Sequence, residues 1–66
     1  MEYVINLEQE WTPETFAEEM RKIREHCKVD YEERHLVMDA VMVHVLTQLG
    51  YGDGAQVFAN TNKWYA

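Results

Sequence analysis

Hydrophobic positions along the chain fall into blocks with different periods. Between residues 13 and 27, Phe16, Met20, Ile23 and Cys27 recur at spacings of four, three and four, with Glu18, Arg21, Lys22 and Glu25 on the opposite side. That spacing marks an amphipathic helix with one buried stripe. Thr12 is a good N-cap, Pro13 fits the first helical position and Glu14 suits the positive end of the helix dipole, so a helix is predicted over residues 13–27. From Asp30 to Gly50 the pattern changes. Asp30 and Glu33 have the spacing of a capping box, and Gly50 stands where a helix commonly ends in the left-handed conformation. Between them Tyr31, Met38, Met42, Val45, Leu46 and Leu49 share one face at about 100° per residue. Leu36, Ala40 and Val43 lie roughly on the other side, with Val37 at the border. A helix apolar nearly all round must be covered on several sides, which is hard to achieve within so short a chain.

The ends of the chain are less regular. Residues 2–7, EYVINL, alternate Tyr3, Ile5 and Leu7 with Glu2, Val4 and Asn6, the period-two pattern of a short strand. No second segment reads convincingly as a strand, so its partner would be another copy of itself, or the segment is an extended arm. Tyr51-Gly52-Asp53-Gly54 reads as a turn, with Asp53 capping a short third helix over residues ~54–61. The predicted fold class is mainly α: a small three-helix domain spanning residues 1–66, with a long central helix and a short N-terminal strand or extended arm.

Length sharpens the packing problem. A domain of 66 residues buries only about 60% of the surface that its unfolded chain exposes. Its own core supplies roughly 3–5 kcal/mol, and small domains usually add a disulfide, a metal or a partner subunit. Cys27 is the only cysteine, which excludes an internal disulfide and suits a reducing compartment. The chain opens on Met1 without a charged-then-apolar leader, and no apolar run reaches the ~18 residues needed to span a bilayer. It therefore reads as a complete small gene product, soluble and cytoplasmic, with no membrane partner. Self-association is the remaining way to cover the central helix, and Leu36, Ala40 and Val43 are the expected interface of a homodimer or higher closed assembly.

Charge narrows the partners. Twelve acidic and six basic residues give a net charge of -6, against the surplus of Lys and Arg that nucleic-acid binding requires. The acidic residues crowd the first third and Arg21, Lys22, Arg24 and Lys28 follow, which suits a solvated helix complementing its own dipole. An acidic DNA mimic is the functional alternative.

Candidate chemistry rests on His35 and Asp39, one helical turn apart at the edge of the apolar face. A carboxylate fixes the tautomer of an imidazole and raises its pKa, as catalytic bases and metal sites require. Both uses need further groups. His26, Cys27, Asp30, His35, Asp39 and His44 match no zinc spacing, and a nucleophile is missing unless Cys27 or a tyrosine supplies it. The expectation is no metal, no cofactor and no catalytic residue. The pair instead hydrogen-bonds internally or holds the terminal Lys63-Trp64-Tyr65-Ala66 segment, whose aromatics need a surface to pack on. His35, Asp39, Lys63, Trp64 and Tyr65 form the candidate binding set. Gly50-Tyr51-Gly52-Asp53-Gly54 lacks the Lys-Ser/Thr of a phosphate-cradling loop.

Across residues ~30–66, Asp30, His35, Asp39, Leu46, Leu49-Gly50-Tyr51, Phe58 and the closing Lys63-Trp64-Tyr65-Ala66 form a combined pattern. It resembles small proteins from phages and prophages of Gram-positive bacteria that end in the same four residues. That resemblance implies a mobile-element origin in a bacterial host, and small proteins of that kind often bind and redirect a host protein. The leading expectation is a phage-type interaction module that self-associates and binds a host or phage protein. A small enzyme or metal-binding protein built on His35 and Asp39 is the alternative.

Overall fold

The computed structural model describes residues 4–61, and within them the chain is mainly α. Three helices follow one another: α1 (Pro13–His26), α2 (Tyr31–Gln48) and α3 (Gly52–Asn60). Residues 1–3 lie outside the described part, so only part of the segment expected as a strand is seen. Val4 to Asn6 have no regular secondary structure, Leu7–Gln9 turn, and no strand occurs among the described residues.

α1 starts as its sequence dictates. The Thr12 hydroxyl accepts the Thr15 N–H at 3.1 Å, and the Thr15 hydroxyl oxygen accepts the Thr12 N–H at 2.7 Å, a reciprocal capping box. The Thr15 hydroxyl also donates to the Glu10 carbonyl at 2.8 Å, tying the arm to the helix start. α2 departs slightly from expectation. Asp30 caps it by accepting the Glu33 N–H at 3.0 Å, but the box is not closed, because the Asp30 N–H turns back to the Cys27 carbonyl at 3.3 Å.

α2 ends as the Gly50 position predicted. Gly50 has φ +100°, its N–H donates to the Thr47 carbonyl at 3.1 Å, and the Tyr51 N–H donates to the Leu46 carbonyl at 2.9 Å. This is the Schellman arrangement, and Leu46 and Tyr51 line one apolar hollow beside it. The chain then re-enters a helix at once. α3 begins at Gly52, with Asp53 inside its first turn rather than capping it, so the predicted turn over residues 51–54 contracts to the Gly50 corner.

α1 and α3 each pack against α2 and make no close backbone approach to one another. Ile23, Cys27 and Val41 form the buried cluster, with Phe16, Met20, Val37, Met38 and Val45 packed around it from the two long helices. The predicted stripe of α1 is thus the inner face of the α1–α2 seam. Ala55 of α3 is buried as well, while Phe58 stays partly open. Three helices side by side make a flat body of 33 × 29 × 16 Å. Its radius of gyration, 12.1 Å, exceeds the about 11 Å of a compact chain this long. No helix among the described residues is long and apolar enough to cross a membrane.

Candidate interaction surface

A layer of three helices has two broad faces, each crossed by the α1–α2 and α2–α3 seams. The N-terminal arm covers the α1–α2 seam on one face. Ile5 and Trp11 reach the Ile23–Cys27–Val41 cluster, and Gln9 donates its amide to Glu19 at 3.2 Å. Glu19 is buried, so this contact holds a polar group inside the seam.

The tightest pin is centred on the Leu7 carbonyl. The Trp11 indole N–H donates to it at 3.3 Å, and His44 Nε2 lies 3.0 Å from it. A carbonyl can only accept, so His44 carries its proton on Nε2. Gln48 sits 3.1 Å from the same nitrogen and must then present its amide oxygen there, the two ends of the amide being exchangeable. The Trp11 and His44 rings meet edge to face, with centroids 6.1 Å apart and planes at 65°. In the sequence His44 stood out only as one of several residues that match no zinc spacing. The signal that would have found it was Trp11 and Leu7, an aromatic and an apolar residue in a segment too short to be a strand without partners.

Beside the arm, Leu36, Asp39, Ala40 and Val43 of α2 line a groove of about 480 Å³ with Phe58 and Ala59 of α3. The expected interface residues therefore share one surface. Leu36 is 53% exposed, Ala40 is exposed and Val43 is half-buried. Asp39 is half-buried in the same groove, while His35, one turn earlier, is exposed. Lys63, Trp64 and Tyr65 lie outside the described residues.

On the opposite face the described residues supply no such cover. Met42 and His44 are two residues apart, hence roughly 200° apart around α2, so Met42 looks away from the arm. There Phe16, Met42, Val45 and Leu46 line a hollow of about 270 Å³ over the α1–α2 seam. Met42 and Leu46, with Val43 at the border, also belong to an adjoining hollow of about 410 Å³ over the α2–α3 seam, completed by Tyr51, Gly54, Ala55 and Phe58. Together they form one trough with α2 as its floor and the other two helices as walls, and among the described residues no charged side chain lines it.

Chemistry is sparse elsewhere. Burial, reinforced by the nearby Glu33 and Asp30 carboxylates, pushes the Cys27 thiol above its usual range, so it is a packing group and a poor nucleophile. Among the described residues no cluster of three or more His, Cys, Asp or Glu side chains is placed to hold a metal ion. The charged face of α1, Glu18, Arg21, Lys22 and Glu25, is exposed. Its neighbouring Arg24–Glu25 pair, at 4.0 Å in the open, contributes little. No family model, no curated protein and no solved structure matches this chain.

Proposed function

We propose that this chain is a small, phage-type protein-interaction module that self-associates and binds a host or phage protein. The observation that carries the reading is that α2 is clasped on two opposite sides only, which leaves apolar side chains open along both flanks. Leu36, Met42, Leu46, Leu49, Tyr51 and Phe58 are all 38% exposed or more. Such a concentration on a domain of 66 residues is the mark of a contact surface. The resemblance of residues ~30–66 to small phage and prophage proteins supports a role executed by binding. On this reading Leu36, Ala40 and Val43 supply apolar contact, and Asp39, with His35 close by, supplies a polar edge that selects the partner.

Two measurements test the reading together. Light scattering across micromolar concentrations should show a mass above 7.9 kDa. Immobilised protein should retain a defined host or phage protein from a bacterial lysate, and Leu36→Glu should release it. A mass fixed at the monomer value, with no capture that depends on Leu36, would remove the proposal.

A further inference from the structure

We infer that the uncharged trough of Phe16, Met42, Val45, Leu46, Tyr51 and Phe58 receives a second copy of this chain, trough against trough about a two-fold axis. This rests on the reading that the protein self-associates. It assigns the self-contact to the flank of α2 that carries Met42 and Leu46, and leaves the groove of Leu36, Asp39 and Ala40 to the other protein, with Val43 and Phe58 bordering both.

Charge decides between the two flanks. Each copy carries a net charge of -6, so two copies meet at least cost where no carboxylate is brought to the contact. The Leu36 groove contains Asp39, and the arm beside it carries exposed Glu8 and Glu10. An isologous contact there would set each of these groups near its own image. The trough contains no such group.

Sedimentation equilibrium of the wild type, Leu46→Glu, Tyr51→Glu and Leu36→Glu tests the assignment, with circular dichroism checking the fold of each. Tyr51 is 64% exposed, so its substitution remains informative should Leu46→Glu not fold. The expected result is a dimer dissociation constant raised at least a hundredfold by Leu46→Glu and by Tyr51→Glu, and changed less than threefold by Leu36→Glu. Dissociation by Leu36→Glu with no effect of Tyr51→Glu would overturn the assignment and leave self-association standing. A wild type that stays monomeric at every concentration would overturn self-association itself.

Discussion

The two broad faces of this molecule are built on the same three helices, yet the α1–α2 seam is covered on one and open on the other. On the first, nine residues of arm reach across the α1–α2 seam, and the polar groups they bring against it are held: the Leu7 carbonyl by Trp11 and His44, the Gln9 amide by Glu19. On the second, Met42 and Leu46 form the floor of an open trough. The difference teaches what a short chain can do alone. Ordering each residue costs roughly 1–2 kcal/mol of backbone entropy, so an arm is laid down only where indole, imidazole and apolar contacts together repay it. A chain with one such arm covers one face.

The comparison can be broken most directly at Trp11. Trp11→Ala removes an aromatic anchor and a hydrogen bond from the covered face and should cost about 3 kcal/mol, enough to unfold much of so small a domain. Urea titration followed by circular dichroism measures this; a loss under about 1 kcal/mol would mean that the arm does not hold the fold. His44→Ala leaves the Leu7 carbonyl with the Trp11 partner alone and should cost roughly 1–2 kcal/mol, by the same assay. Gly50→Ala is expected to cost about 1 kcal/mol. An added Cβ at Gly50 meets nothing within 4 Å, so that cost is purely that of a positive φ. On the open face, Leu46→Gln in dilute protein should change stability by under about 1 kcal/mol, because its side chain is already 41% exposed.

The smallest effect concerns the seam that both faces share. Cys27 keeps its proton more tightly when folded than when unfolded. Its contribution is complete below the unfolded thiol pKa of about 8.5 and is lost as pH rises above it. Melting temperature should therefore fall more steeply between pH 8.5 and 10 for the wild type than for Cys27→Ala. Parallel curves would show that the thiol titrates alike in both states.

Much of this architecture was legible in the sequence wherever a local rule governs. The stripe of Phe16, Met20, Ile23 and Cys27, the Thr12 and Asp30 caps and the Gly50 stop all depend on neighbours within a turn or two, and each is realised. The excess of apolar positions on α2 was also legible, though not how it would be divided. Which flank α3 takes follows from one positive φ at Gly50, and where the arm lies follows from a contact between Leu7 and His44, 37 positions apart. No period in the sequence encodes that contact. For the candidate surface, that Leu36, Ala40 and Val43 line one groove was legible, because residues three and four apart share a helix face. The trough was not seen as a unit, since Phe16 and Phe58 reach it from two other helices.

One measurement reads both faces at once: hydroxyl-radical footprinting of the wild type below and above the concentration at which its mass doubles. The account predicts that Trp11 on the covered face is protected to the same degree at both concentrations. Met42, Leu46 and Tyr51 should be labelled freely when dilute and several-fold less when concentrated. Labelling of the trough residues that does not change with concentration, or concentration-dependent protection confined to Leu36, would contradict it.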